Sequence, residues 1–189
     1  ALDAPSQNYG DAATLDLAHN RDGDRNVALI RFDVSALAAV DPADVISAQI
    51  RLYAATLQNG GELKVSKRLP SSAWQESAAT WNQAAPGAAW PGGSATTGQS
   101  LENEFVRVTG RAISFEVGEQ LRQWLADPGS NQGIALRGYT AYDNNFARTL
   151  LSFAASENAN IALRPELIVR LAGCALGGDV NQDQTVDVL

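Results

Sequence analysis

Two antiparallel sheets packed face to face, with one short helix, are what this sequence predicts. Three observations point there: short segments of alternating polarity recur along the chain, turn-forming residues separate them, and little of the chain carries a helical period. Sixteen Gly and seven Pro punctuate 189 residues, which suits many turns between short strands better than a few long helices. A chain of this length holds one sizeable core, and 45% hydrophobic residues against 19% charged ones can fill it.

The alternating segments are 14–18, 27–34, 45–54, 62–69, 104–109, 133–139, 149–155 and 165–171. Side chains alternate across a strand, so in VALIRFDV the positions Ala28, Ile30, Phe32 and Val34 are expected inward and Leu29, Arg31 and Asp33 outward. The same rule places Ala48, Ile50 and Leu52 inward in AQIRLYA, with Gln49, Arg51 and Tyr53 outward. In ELKVSKRL it buries Leu63 and Val65 and exposes Lys64, Ser66 and Arg68, while alternation alone turns Lys67 inward. SALAAV after Asp33 reads as a single helical turn capped by Ser35. FEVGEQLRQWLADPG reads as the helix, with Val117, Leu121 and Trp124 or Leu125 at helical spacing before Asp127-Pro128-Gly129 stops it. Residues 82–103 read as a long Gly, Ala, Pro and Ser loop, the kind of connection that often carries function.

The charge narrows the partners. A net −7 argues against nucleic acid, whose sequence-independent binding rests on many bases neutralising phosphates. No stretch is long and apolar enough to span a bilayer as a helix, so no membrane partner is expected. One cysteine, Cys174, and one histidine, His19, offer little from which to build a cysteine or serine hydrolase, and Cys174 reads as a linker residue. With no Met in the chain, Ala1 reads as the start of a processed or excised piece.

Four pieces in order carry a resemblance: NYG at 8–10 before the strand LDL; VALIRFDVSAL leading to ISAQIRLYA; W-x-E-x-x-x-T-W-N from Trp74 to Asn82; and QWLADPGSNQGIALRG. Over about residues 3–171 this order resembles the DNRLRE domain family, which includes carbohydrate-binding module family 96. The resemblance implies a jelly-roll β-sandwich from a secreted bacterial protein, a non-catalytic module that binds a polysaccharide, alginate being the one associated with family 96. The motif residues themselves read as structural: Trp74 and Trp81 as packing anchors, Glu76 as a turn partner, and Asn131-x-Gly133 as the turn into a core strand.

The candidate site residues come from local chemistry. Arg31, Arg51, Lys64 and Arg68 lie on outward positions of three strands, and if those strands adjoin they form a basic stripe for uronate carboxylates. The competing reading is a solvated face whose charges pair with nearby acids. Tyr53, Trp90, Tyr139 and Tyr142, on outward positions or in loops, are candidates to stack on sugar rings, against the alternative of core packing. HNRDGDRN at 19–26 sets Asp22 and Asp24 in an oxygen-rich turn that a structural calcium could use, although a hairpin with Asp-Gly turn chemistry explains the same residues more simply. No spacing marks an acid and base pair, so enzyme activity ranks below binding, and a spacer module without a glycan site is the other alternative.

After a linker at 172–178, the stretch DVNQDQTVDVL at 179–189 has calcium-loop spacing. Asp179, Asn181, Asp183 and Asp187 take places one, three, five and nine, and Thr185 takes place seven. Gln184 stands where such loops take Gly, and place twelve lies beyond Leu189. This stretch resembles the first repeat of a type I dockerin, which implies a cohesin partner in the full-length parent only. The expected protein is thus a secreted, monomeric binding module, with calcium as the one cofactor its loops suggest.

Overall fold

Alternate burial along each strand decides the layers. The computed structural model describes residues 3–20, 23–24, 26–59, 61–139, 149–172 and 185–188. The strands are β1 (Thr14–Asn20), β2 (Gly23–Asp24), β3 (Val27–Ile30), β4 (Val45–Gln58), β5 (Leu63–Arg68), β6 (Gln83–Ala85) and β7 (Ala88–Ala89). They continue with β8 (Glu102–Val106), β9 (Arg111–Glu116), β10 (Ile134–Tyr139), β11 (Thr149–Ala154), β12 (Glu166–Leu171) and β13 (Thr185–Val188). One α-helix, α1 (Gly118–Ala126), follows β9.

The larger sheet runs β13-β12-β4-β11-β1-β2, with β9 also paired to β4; the smaller runs β3-β10-β5-β8, and β6 pairs with β7 alone. The chain crosses between the large sheets at β2 to β3, β3 to β4, β4 to β5, β8 to β9, β9 to β10 and β10 to β11. That winding makes the expected all-β sandwich, a jelly roll with antiparallel pairing. One core joins both sheets through Leu17, Ile50, Leu52, Leu63, Val65, Ile134, Leu136, Phe115, Phe153 and Leu167, all buried. Each such large side chain contributes about 1.5–3 kcal/mol of hydrophobic stabilisation.

The predicted inward set is borne out at Ala28, Ile30, Phe32, Val34, Ala48, Ile50, Leu52, Leu63 and Val65, all buried. Several boundaries differ, each for a local reason. Strand β3 stops at Ile30, and the Asp33 carboxylate, rather than Ser35, accepts the first turn's amide, from Ser35 at 2.9 Å; Ser35 lies inside the 3-10 turn Ser35–Leu37. Phe115 and Glu116 belong to β9 and not to the helix, because Phe115 pairs opposite Ile50 and drops into the core. Helix α1 then buries Leu121 and Trp124 as its spacing predicts, and Arg122 bonds it to β4 by donating to the Val45 carbonyl at 2.6 Å.

The 82–103 loop is more ordered than its composition suggests. The hairpin of β6 and β7 builds a second small core from Trp74, Ala84 and Trp90, with Leu29 packed against it from the outer side of the smaller sheet. Among the described residues, no helix is long and apolar enough to cross a membrane.

Candidate functional site

Directly opposed residues on paired strands share a face of the sheet. Lys64 stands opposite Tyr139 on one side and Phe105 on the other, Ser66 opposite Arg137 and Asn103, and Arg68 opposite Ala135. Because Leu63 and Val65 are buried in the core, this set occupies the outer face of the smaller sheet. Sequence reasoning found Lys64, Arg68 and Tyr139 here but missed Arg137 and Phe105. Arg137 was legible in IALRGY, where alternation places it two residues before Tyr139 on the same side.

The segment between β5 and β8 folds back over part of this face, closed on itself by a bridge between Pro70 and Thr96 and tied to β5 by the Leu101 amide, which donates to the Lys67 carbonyl at 2.9 Å. Ser66 points outward as predicted yet is buried, its hydroxyl 2.8 Å from that of Ser100. Arg68 donates to the carbonyls of Gly98 at 2.6 Å and Thr97 at 3.2 Å and to the Tyr139 hydroxyl at 2.9 Å, with its guanidinium 5.7 Å from the Tyr139 ring centre. Arg137 donates to the Thr96 hydroxyl at 3.2 Å. Phe105 is 45% exposed beside Lys64.

Charge compensation is uneven among the described cations. Arg51 pairs with Glu166, Arg107 with Glu62, and Lys67 with Glu102 at 2.9 Å. Lys64 and Arg68 have no carboxylate partner among the described residues. The partners of Arg68 are neutral oxygens, which take bonds from its two terminal nitrogens, leave its buried Nε without an acceptor and leave its positive charge in place.

The predicted basic stripe is therefore divided. Arg51 and Tyr53 lie on β4 of the larger sheet, with Arg51 held by Glu166, so they are not part of the Lys64 and Arg68 face. Arg31 follows β3 at the far edge of the smaller sheet, its guanidinium 5.0 Å from the Trp74 ring centre and 3.3 Å from the Trp74 carbonyl oxygen. Trp90, expected as a stacking surface, is 3% exposed: its indole N–H donates to the Thr80 carbonyl at 2.9 Å, and its ring fills the second core. Lys67 turns inward and is buried, as alternation required. Tyr142 lies outside the described residues.

The metal candidates fall into two groups. Asp22, Asp179, Asn181 and Asp183 lie outside the described residues; Asp24 belongs to β2, which pairs with β1 as a hairpin, and Thr185 and Asp187 belong to β13, paired along β12. Among the described residues, no group of three or more His, Cys, Asp or Glu is arranged to hold a metal.

The four motif pieces converge in space. The Asn8 amide donates to the carbonyls of Glu76 at 2.6 Å and Ala79 at 2.8 Å, and a Cβ on Gly10 would sit 2.7 Å from the Glu76 carbonyl oxygen. The Trp74 indole donates to the Gln132 carbonyl at 2.8 Å, and Asn131 donates to the Phe32 carbonyl at 3.0 Å. Gly133 has φ +70°, and a Cβ there would lie 2.0 Å from the Ile30 carbonyl oxygen, so only glycine fits. Backbone contacts distant in sequence thus tie these pieces to one another.

No curated protein matches the chain. The family model described as carbohydrate-binding module family 96 matches residues 1–170, which spans the sandwich from its first described residues into β12. By that match the chain belongs to carbohydrate-binding module family 96, whose members are polysaccharide-binding and generally non-catalytic.

Proposed function

We propose that the outer face of the smaller sheet binds an anionic polysaccharide, a polyuronate such as alginate, with no chemistry performed on it. The observation that carries this reading is the uncompensated charge of Lys64 and Arg68 on one face, while Arg51, Lys67 and Arg107 are neutralised by acids. Lys64 supplies a mobile point charge, and Arg68 supplies one fixed by the Thr97 and Gly98 carbonyls. Tyr139 and Phe105, opposite Lys64 on either side, give the polymer's ring faces apolar surface. Affinity of an extended polymer then accumulates from repeated weak contacts. Such a ligand suits a module that works outside the cell, in a secreted protein.

Affinity electrophoresis in alginate gels tests the assignment. The double variant Lys64→Ala/Arg68→Ala is expected to lose most of its retardation, and added salt is expected to weaken the unaltered protein's binding. Retardation unchanged in the double variant would sink the assignment and favour another face or a spacer role.

A further inference from the structure

The converging motifs border a cleft of about 1110 Å³ on the β3 side of the smaller sheet, between the segment after Asp3, the β3 strand and the turn from Trp74 to Trp81. This volume is at or above the roughly 300–1,000 Å³ range of small-molecule pockets, so it accommodates several sugar rings. Its electrostatics are opposite to those of the Lys64 and Arg68 face. Five carboxylates and two guanidinium groups line it. Arg31 bonds the Trp74 carbonyl and Arg164 the Asn158 carbonyl at 2.9 Å, so both keep their charge, and five carboxylates against two guanidinium groups leave the lining with an excess of three negative groups.

The lining combines open aromatic surface with hydrogen-bond acceptors. Tyr9 is 47% exposed and Trp81 partly so, and the NYG contact holds Tyr9 beside the exposed Glu76. Asp16 also lines the cleft, and its Oδ1 is buried with no hydrogen-bond donor. A buried carboxylate oxygen with no donor is costly, and a sugar hydroxyl in the cleft supplies the missing one. Aromatic faces take the C–H side of a sugar ring, carboxylates take its hydroxyls, and the same carboxylates repel a uronate. A divalent cation is a poorer match, since the described acids do not cluster as ligands.

We propose that this cleft is a second glycan site, one that takes a neutral polysaccharide chain and works independently of the anionic-polymer face. The full chain is run in gels containing hydroxyethylcellulose, galactomannan or laminarin, each beside an alginate gel. Retardation is expected in at least one neutral gel and is expected to resist added salt. Tyr9→Ala should weaken it roughly two- to twelvefold, the effect of losing one ring contact. Glu76→Gln, a change at an exposed carboxylate, should weaken it without altering the melting temperature, and Lys64→Ala/Arg68→Ala should leave it intact. No retardation in any neutral gel, or retardation that survives both Tyr9→Ala and Glu76→Gln, overturns the proposal. Loss of alginate retardation alone bears only on the other face.

Discussion

Lys67 is the cation that the fold spends on itself. Its ammonium lies between the sheets, 2.9 Å from the Glu102 carboxylate, and also donates to the Glu116 carbonyl. Glu102 in turn accepts from the Glu116 amide at 3.0 Å, so three groups tie β5 and β8 of one sheet to β9 of the other. Removing one partner of a fully buried pair costs about 3–5 kcal/mol, mostly by stranding the other charge. The Glu102 side chain is 24% exposed, so water recovers part of that, and Lys67→Met is expected to cost about 2–3 kcal/mol. Adding Glu102→Gln removes the stranded charge and keeps the acceptor for Glu116, so the double variant should recover at least about 1 kcal/mol of the loss. Urea unfolding followed by tryptophan fluorescence measures both, with an unchanged m-value as the check that the same transition is observed. A cost below about 1 kcal/mol for Lys67→Met, or no recovery in the double variant, would refute the clasp. Alginate retardation should be the same in both, because neither side chain reaches the outer face.

Two further outcomes follow from backbone and charge. Gly133→Ala combines a left-handed conformation with a contact that no Cβ can make, and is expected to destabilise by at least about 2 kcal/mol in chemical denaturation; a loss under 0.5 kcal/mol, roughly the cost of an ordinary surface change, would contradict it. The Asp33 carboxyl is held below its ordinary 3.8 by accepting from the Ser35 amide and then its hydroxyl. Its folded value is lower than its unfolded one, so its stabilisation is present above about pH 4 and is lost as the pH falls through the folded value. Carboxyl NMR titration should show the low midpoint, and Asp33→Asn should flatten the acid side of the stability curve; a midpoint at or above 3.8 would refute it.

Local chemistry carried most of the fold. Alternation in VALIRFDV, AQIRLYA and ELKVSKRL named the core-facing side chains correctly, because period-two orientation is a property of each strand alone, whereas Ser66, expected exposed, is buried under the folded-back segment. Adjacency is not local, and so the basic stripe could not be drawn in advance. Arg51 and Arg68 look equivalent in sequence, yet one meets Glu166 from β12 and the other meets carbonyls of the folded-back segment. Trp90 shows the same limit from the other side: a tryptophan among Pro and Gly reads as exposed until β6 and β7 supply its small core. The signal that was available was Leu29, an apolar side chain on an outward position, which meant that something covered that part of the sheet.

Strand β4 has a mechanical consequence. Its 14 residues extend about 46 Å, and it pairs with β9 at Gln49–Ala54, with β12 from Val45 to Arg51 and with β11 from Ala54 to Gln58. A tensile load directed along β4 must shear three ladders together instead of peeling one hairpin at a time. On the proposed reading of the Lys64 and Arg68 face, the smaller sheet would hold the polymer while the larger one would bear the strain.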